Sequence, residues 1–490
     1  MESIHLTYIY CPYERGEHYM ISFFLNNKKI QSDHSSGTLV LDFIREQTSL
    51  TGTKEGCREG DCGACMVLLG RPVKNGIIYN AVNSCLLTLG EIQGCHVVTI
   101  EGLNRSDGLT PIQRAFFDRV ASQCGFCTPG MIISITGFFL NTAELSMEAG
   151  IEALSGNICR CTGYQSIKRA IQDLCEVFSG DELRKTPFPE ERVALLVKWR
   201  FLPDYFLEVP RNLKDFETYC LDTQQSSLGK KGLLVAGGTD LYIQKAEELR
   251  YKKLVFLSNR PGMSFICVKD KYCHIGATVT IEQIRRSDVI RGLIPSLFET
   301  LSLVSSTPIR NRATLGGNIV NASPIGDMTI IFLALGASVV LNNGTKQRRV
   351  PLEKFFLGYK KLDIKDTEIL DSLFFPIPNP GDRFNFEKVA KRRYLDIASV
   401  NSAILFREEE GIIREIRISA GGVAPVPMLL RRTCEYLSEK KLHKQVIDKA
   451  AEIAAMEVSP ISDVRGSAQY KTVLLKRFIY AHLTDKEGLL

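Results

Sequence analysis

Apolar and polar residues follow strand spacing in the first part of the chain, from about residue 20 to residue 100. The segment 20-MISFFLNNKKI-30 predicts two strands joined at Asn26-Asn27, a pair that tolerates the positive φ of a tight hairpin turn. Apolar residues in 38-TLVLDFIREQ-47 are instead spaced for one face of a helix, and the strand-like stretches 66-MVLL-69 and 95-CHVVTI-100 follow. We therefore expect a small mixed sheet with one helix packed on it.

Between Thr110 and Gly180 the apolar residues recur at the period of a helix. Thr110-Pro111 has the form of an N-cap followed by proline at the first helical position, and Thr128-Pro129 repeats it. The stretch 166-SIKRAIQDLCEVF-178 is amphipathic at helical spacing. This part of the chain predicts a small helical bundle.

The remainder of the chain predicts two further units. The stretch 180-GDELRKTPFPEERV-193 is charged and interrupted by proline, which is typical of a linker. Strands and helices then alternate to about Pro380, and adjacent antiparallel strands followed by helices are predicted beyond it. We expect an α+β multidomain chain, with a linker at 181–199 and domains at 20–100, 101–180, 200–380 and 381–490.

Composition narrows the class of protein. The longest apolar run, 131-MIISITGFFL-140, is far shorter than the roughly 18 residues that span a bilayer, so we expect no membrane segment. The 61 basic and 55 acidic residues are mixed along the chain, which argues against a nucleic-acid-binding surface. The first residues have neither a basic start nor a small-residue cleavage site, so we expect a cytoplasmic protein.

Fifteen cysteines are many for a cytoplasmic chain, and eight of them form two sets. The first set, Cys57, Cys62, Cys65 and Cys85, has the C-x4-C-x2-C…C spacing of a plant-type [2Fe-2S] site. Three glycines in the same loop let the backbone wrap a bulky cluster and aim N–H groups at its sulfurs. The alternative is a four-cysteine zinc site, which prefers two short knuckles rather than three ligands in nine residues.

The second cysteine set consists of 124-CGFC-127 and 159-CRC-161, that is Cys124, Cys127, Cys159 and Cys161. A single C-x-x-C also occurs in thioredoxin-like redox pairs, but those lie near a βαβ pattern and this one lies among helices. Cys159 and Cys161 are too close in sequence to serve easily as two ligands of one tetrahedral metal ion, whereas a two-iron cluster can take both thiolates from one tight turn. We expect a second [2Fe-2S] cluster.

Two glycine pairs follow predicted strands, in 233-LLVAGGTDL-241 and 310-RNRATLGGNIVNASPIGD-327. Such turns present bare backbone N–H groups to phosphate oxygens, and Thr239 and Thr314 add hydroxyls while Arg310 or Arg312 adds charge. Taken alone, each turn is better explained by an ordinary strand-to-helix connection. Because the chain has no G-x-G-x-x-G fingerprint, the two pairs together favour a flavin dinucleotide bound outside a Rossmann fold.

No hydrolytic centre is indicated. The chain lacks both H-E-x-x-H and G-x-S-x-G, and it has only seven histidines. We assign no catalytic residue and expect the bound cofactors to perform the redox chemistry.

These motifs, in the order GCREGDCGAC, AVNSC, QCGFCTPGM, GNICRCTGY, LLVAGGTDL and TLGGNIVNASPIGD, resemble the iron–sulfur and flavin portion of the molybdenum hydroxylases. The resemblance is strongest to the small subunits of bacterial xanthine dehydrogenases and covers the chain from about Met20; residues 1–19 have no counterpart. It implies a β-grasp ferredoxin-like domain, a four-helix [2Fe-2S] domain, an α+β FAD-binding domain of the PCMH type, and an α+β C-terminal domain like that of carbon monoxide dehydrogenase flavoprotein.

The resemblance also implies contacts with FAD. Carried over by position, these are Leu233, Leu234, Val235, Ala236, Gly237, Gly238, Thr239, Asp240, Ala313, Thr314, Leu315, Gly316, Gly317, Asn318, Asp327, Leu370 and Lys388. Val304 departs from the aromatic residue that relatives often have there. The segment 391-KRRYLDIASV-400 resembles a loop beside the flavin, Tyr359 a residue on the nicotinamide side, and Gln123 a residue close to molybdopterin.

The function implied by the resemblance is electron transfer during the oxidation of hypoxanthine and xanthine. Electrons would pass from molybdopterin on a large partner subunit, in an αβ or α2β2 assembly, through the two clusters to FAD and then to NAD. Three alternatives stay open: the redox subunit of an aldehyde- or N-heterocycle-oxidising relative, a self-sufficient NADH-dependent flavin and iron–sulfur reductase, and a zinc-stapled interaction module.

Overall fold

A computed structural model describes residues 20–142, 144–178, 180–213, 232–258, 260 and 262–484. Residues 1–19, and with them the unmatched start of the chain, lie outside this part, as do residues 485–490 of the last predicted domain. Among the described residues, no helix is both long enough and apolar enough to cross a membrane.

The N-terminal sheet domain, residues 20–103, is the predicted mixed sheet. Asn26 adopts a φ of 56° in the turn of the predicted hairpin, and its flanking strands pair antiparallel. The helix Val40–Gln47 packs apolar residues at helical spacing against one face of the sheet. In spatial order the strands are Lys28–Ser32, Ile21–Leu25, His96–Val98, Met66–Val73 and Gly76–Asn83, with short 3-10 turns at Ser84–Leu86, Leu89–Ile92 and Ile100–Leu103.

The helical domain, residues 104–178, contains the four predicted helices: Pro111–Asp118, Thr128–Asn141, Met147–Ala153 and Gln165–Val177. Thr110 caps the first of them, because its hydroxyl accepts a hydrogen bond from the Gln113 N–H while the Gln113 side chain accepts from the Thr110 N–H. The second helix begins one residue earlier than predicted, so that Cys127 occupies its N-cap position in place of Thr128. A cluster cysteine is thereby placed at a helix N-terminus.

The segment predicted as a linker, 181–199, is instead largely helical. Helices Gly180–Arg184 and Pro189–Lys198 bury Leu183, Val193 and Leu196 in the core of the helical domain, and a 3-10 turn at Asp204–Leu207 follows. Arg192 is buried beside them and donates to the Phe139 carbonyl. The proline and the charges therefore mark a helix start and its solvent face rather than an extended connection, while the predicted domain boundaries stay predictions.

The central domain, residues 232–380, combines a five-stranded antiparallel sheet with short helices. The sheet order is Gln347–Pro351, Ser338–Asn342, Ile369–Pro376, Tyr272–Gly276 and Ile266–Lys269. Two small sheets pair Leu233–Val235 in parallel with Leu254–Phe256, and Phe356–Gly358 with Lys361–Leu362. The helices are Leu241–Leu249, Ile281–Arg286, Asp288–Leu293, Leu297–Thr300, Thr307–Arg310, Leu315–Val320, Asp327–Ala334 and Leu352–Phe355, with a 3-10 turn at Leu301–Leu303.

The C-terminal domain, residues 381–484, is the predicted antiparallel sheet with helices packed on it. Its strands, in order, are Asp382–Val389, Val400–Glu409, Ile412–Gly421 and Met428–Leu429, and its helices are Arg431–Leu437, Lys444–Glu457 and Ala468–Leu483. The helix Asp327–Ala334 of the central domain also contacts this sheet, because the Ile330 carbonyl accepts a hydrogen bond from Ser419. The α+β multidomain architecture expected from the sequence is confirmed.

Candidate cofactor sites

The first cysteine set comes from two segments: Cys57, Cys62 and Cys65 lie in the loop between the helix Val40–Gln47 and the strand Met66–Val73, and Cys85 lies in the 3-10 turn Ser84–Leu86. Cys65 and Cys85 are buried, whereas Cys57 and Cys62 are partly exposed. The backbone N–H groups of Glu59 and Asp61 each donate to the Cys57 sulfur over 3.3 Å. This is the arrangement of N–H donors that stabilises thiolate sulfur on a negatively charged cluster.

The thiols of the first set meet in two pairs. A hydrogen bond with Cys62 lowers the pKa of Cys57 to about 5, against the opposing effect of burial, and the same bond raises the pKa of Cys62. Cys65 and Cys85 pair in the same way, which lowers the pKa of Cys65 and raises that of Cys85. Two neighbouring pairs of thiols match the four cysteine ligands that two irons share.

The second cysteine set lies at the N-terminal ends of two helices. Cys127 precedes the helix Thr128–Asn141, and Cys159 and Cys161 precede the helix Gln165–Val177. The sulfurs of Cys124 and Cys161 lie 3.6 Å apart, and the Cys159 sulfur lies 3.2 Å from the Thr162 hydroxyl. Helix N-termini favour negative charge, so this position suits a thiolate-ligated cluster.

The two cysteine loops contact each other through their backbones. The Ile158 N–H donates to the Cys62 carbonyl over 3.0 Å, and the Asn157 side chain donates to the Gly63 carbonyl over 3.3 Å. A Cβ at Gly130 would lie 2.0 Å from the same Gly63 oxygen, so only glycine permits this approach. The two clusters are therefore held side by side by direct contact of their binding loops.

No three His, Cys, Asp or Glu side chains of the described ranges converge as the ligands of a single ion would. The eight cysteines instead form paired sets on glycine-rich or helix-capping backbone, and none of them is in a disulfide. Thiols in pairs, with N–H donors aimed at the Cys57 sulfur, fit [2Fe-2S] clusters, and the assignment of the eight cysteines as iron ligands stays a prediction.

The two glycine loops of the central domain lie against each other, as the predicted phosphate site requires. A Cβ at Gly237 would lie 2.1 Å from the Arg312 carbonyl oxygen. Thr314 caps the helix Leu315–Val320, since its hydroxyl accepts from the Gly317 N–H over 3.1 Å. The buried Asn318 Oδ1 has no hydrogen-bond partner among the described residues. The adjoining glycine turns fit the FAD diphosphate, and the unsatisfied buried acceptor fits a hydroxyl donor such as those of the ribityl chain.

The other predicted FAD contacts lie in different surroundings. The Lys388 ammonium binds the Asp327 carboxylate over 2.7 Å, and the Asn401 amide holds the other carboxylate oxygen. Leu370 is buried in the five-stranded sheet, whereas Asp240 is exposed. Individual contacts to FAD stay predictions.

Arg310 does not supply charge to a phosphate, which corrects the expectation from the sequence. Its side chain is completely buried and donates to Glu282 and Glu152 over 2.7 Å each. Arg285 binds the same two carboxylates. Glu152 belongs to the helical domain, so this network joins the helical and central domains instead of facing a ligand.

Three further residues singled out in the sequence have plain surroundings. Val304 is buried and its carbonyl accepts from Arg310, while Tyr359 and Gln123 are exposed.

Sequence reasoning missed the contact between Glu91 and Arg312. The 88-TLGE-91 capping box was a visible signal for Glu91, but it indicated only a local role.

An apolar cluster joins the first cysteine loop to the predicted flavin loop. Cys65 and Cys85 pack in this cluster with Val235, the last residue of the strand before Gly237, and with Ile309 at its edge. The loop 391–400 approaches from the other side, where Arg392 lies 3.3 Å from Asp61. The first cluster site and the flavin loops are therefore neighbours, as electron transfer between them requires.

Comparison with known protein families matches most of the chain to four domain models. The matches are a 2Fe-2S iron–sulfur cluster binding domain at residues 23–85, a [2Fe-2S] binding domain at 99–172, an FAD binding domain of molybdopterin dehydrogenase at 210–378, and a CO dehydrogenase flavoprotein C-terminal domain at 386–485. The expected two [2Fe-2S] clusters and FAD are confirmed as the cofactors of these domains.

Relatives of known activity extend the match. Xanthine dehydrogenase 1 of Arabidopsis thaliana is 29% identical over 92% of this chain and 38% of its own length, and human aldehyde oxidase is 27% identical over 96% and 39%. The chain thus spans about two fifths of the curated relatives that it matches. A solved carbon monoxide dehydrogenase from Hydrogenophaga pseudoflava, which lacks the Mo-pyranopterin moiety, is 27% identical with a TM-score of 0.50, covering 52% of this chain and 89% of that one.

The order of the four domains, the paired cysteines and the adjoining glycine loops agree with one another and with these relatives. The chain belongs to the molybdenum hydroxylase family and carries the two iron–sulfur domains and the flavin domains of that family.

Proposed function

We propose that the chain is the electron-transfer subunit of a xanthine dehydrogenase, which passes electrons from molybdopterin on a partner subunit through the second cluster, the first cluster and FAD to NAD. When bound, the clusters carry single electrons and FAD exchanges electrons in pairs. The side chains of this chain hold the cofactors in sequence and set their surroundings.

The observation that carries the proposal is the direct contact between consecutive cofactor loops. Ile158 donates to the Cys62 carbonyl between the two cysteine loops, and Val235 packs with Cys65 and Cys85 at the start of the flavin loop. The first cysteine loop therefore contacts both the second cysteine loop and the start of the predicted flavin loop.

A partner surface is supported around the second cysteine set. Phe117 and Val120 are each 69% exposed, and Phe126, between two cluster cysteines, is 46% exposed. Exposed apolar side chains grouped around a redox site are typical of a protein–protein contact. We propose that the molybdopterin domains lie on a partner that covers this surface, in an αβ or α2β2 assembly.

The acceptor and the substrate rest on similarity. NAD as the acceptor follows from the resemblance at Tyr359, which is exposed, and purine oxidation follows from the similarity to xanthine dehydrogenases. The comparable similarity to aldehyde oxidase supports an aldehyde-oxidising enzyme as the second candidate. A cytoplasmic location is proposed because every described cysteine is a free thiol.

The test is purification of the tagged chain from its native cells, with metal analysis and activity assays on what is recovered. A molybdenum-containing partner and reduction of NAD with hypoxanthine support the proposal. Oxidation of aldehydes without purines would move the enzyme to the second candidate. A chain that is recovered alone and oxidises NADH with artificial acceptors would overturn the subunit role in favour of a self-sufficient reductase.

A further inference from the structure

A buried ion pair joins the N-terminal sheet domain to the flavin loops. The Glu91 and Arg312 side chains are 2% and 6% exposed, and the Arg312 Nη2 lies 2.7 Å from the Glu91 carboxylate. Glu91 is fixed on its own side, because its second oxygen accepts from the Thr88 N–H and from the Tyr242 hydroxyl. Burial raises the pKa of Tyr242, with the Glu91 carboxylate adding to the effect, so the phenol stays protonated as a donor.

The same guanidinium ties the two glycine loops together. Arg312 Nη2 also donates to the Gly237 carbonyl over 2.8 Å, while the Arg312 carbonyl packs against Gly237 itself. Arg312 immediately precedes 313-ATLGGN-318, which is the second loop of the flavin site. One side chain thereby sets the spacing of both loops, and Glu91 sets the position of that side chain.

The other terminal nitrogen of this guanidinium has no partner. Arg312 Nη1 is buried and makes no hydrogen bond to any described residue. A buried N–H without an acceptor costs roughly 1–3 kcal/mol, and more on a charged group. A ligand oxygen that reaches this nitrogen would satisfy it.

We propose that Glu91 and Arg312 are positioning residues for FAD, through which the first iron–sulfur domain sets the flavin affinity of the central domain. The inference rests on the assignment of the flavin site to the two glycine loops and is independent of the partner subunit and of the final acceptor. It predicts that a residue outside the flavin domain controls FAD binding without touching the cofactor.

The test measures FAD binding to the full chain after removal of its flavin, by quenching of FAD fluorescence. Glu91→Gln keeps the shape of the side chain and removes its charge, and we expect the Kd for FAD to rise roughly tenfold to a hundredfold. Arg312→Met should have an effect at least as large, and Arg312→Lys an intermediate one. If Glu91 acts through Arg312, the Glu91→Gln/Arg312→Met double variant should bind FAD no more weakly than Arg312→Met alone.

The matched control is Arg250→Gln. Arg250 joins the same two domains through Asp42, is partly exposed, and touches neither glycine loop. Its removal should change the Kd by no more than about twofold. Iron content and the visible spectrum, measured on every variant, should stay those of the wild type and show that the cluster domains are folded.

An unchanged Kd in Glu91→Gln would overturn the inference, as would an equal loss in Arg250→Gln or additive effects in the double variant. If Arg312→Met does not fold, the comparison of Glu91→Gln with Arg250→Gln still decides the matter. A wild-type chain that binds no FAD would remove the flavin site itself, whereas wild-type affinity in Glu91→Gln would remove this inference alone.

Discussion

Replacing Arg310 with methionine should destabilise the contact between the helical and central domains. The guanidinium is completely buried and binds Glu282 and Glu152. Burial alone would raise the pKa of Glu282, but Arg310, followed by Arg286 and Arg285, lowers it to about 2. Relative to the ordinary value of 4.5, that shift corresponds to about 3 kcal/mol of stabilisation of the ionised group.

The expected loss at neutral pH is about 3 kcal/mol, at the lower end for a broken buried pair because Arg285 and Arg286 still contact Glu282. Since the folded pKa of Glu282 lies below its unfolded value, the stabilisation is fully present above about pH 4.5 and disappears as the pH falls towards 2. In the variant, fewer positive charges oppose the effect of burial on the pKa of Glu282, so this carboxylate takes up a proton at higher pH. The difference from the wild type should therefore shrink on acidification.

The assay is urea unfolding followed by circular dichroism at about pH 7 and about pH 4, which lies inside the window where the stabilisation is lost. Arg119→Met is the control, because Arg119 also binds a carboxylate, that of Asp173, but both side chains are exposed to solvent; its loss should have a much smaller effect on the free energy of unfolding. Adding Glu282→Gln to Arg310→Met should recover part of the stability, since Arg285 then has one buried carboxylate, Glu152, to neutralise instead of two. A loss in Arg310→Met no larger than in the control, or one that grows at low pH, would refute the reasoning.

Three further predictions concern the cluster loops and the pH dependence of stability. Gly130→Val should force the two cysteine loops apart, because even a Cβ at this position would lie 2.0 Å from the Gly63 carbonyl oxygen. Iron analysis of the full chain should then show a loss of cluster iron. Full iron content would contradict the argument that the loops require this close approach. Cys124→Ser removes an exposed ligand of the second cluster and should lower iron from about four to about two per chain while the first cluster's spectrum persists; loss of both clusters would show that they assemble together. His482 and His96 are fully buried and neutral, with burial lowering their pKa values to about 3 and about 4. The stabilisation that they contribute should therefore be fully present above about pH 6.5 and decrease as the pH falls. His482→Gln should reduce the slope of the free energy of unfolding against pH below that value, and an unchanged slope would count against this reasoning.

The two iron–sulfur domains could be predicted because the chemistry of their cysteine motifs is local. Cys57, Cys62 and Cys65 lie within nine residues, and the spacing alone limits which metal centre they can wrap. The hairpin at Asn26 and the cap at Thr110 were predictable for the same reason, since a turn residue or a capping side chain acts on its immediate neighbours.

Contacts between distant segments could not be predicted in this way. Arg310 stands beside a glycine loop in the sequence, yet it points to Glu152 of another domain, and nothing near either residue records that pairing. The helices at 180–198 were hidden because proline and charge occur both in linkers and in the first turn of a helix. What separates the two cases is burial of Leu183 and Leu196 against residues far away in the chain.

The apolar cluster that holds Cys65 and Cys85 together with Val235 has a consequence for how such chains can be recombined. A shortened chain that starts at the flavin domain would leave Val235, Tyr242 and Leu254 facing water, and one that ends before it would uncover the cysteine side of the same cluster. In chimeras between relatives, the ferredoxin-like and flavin domains should therefore come from the same parent, with the junction between the two parents placed outside this pair of domains.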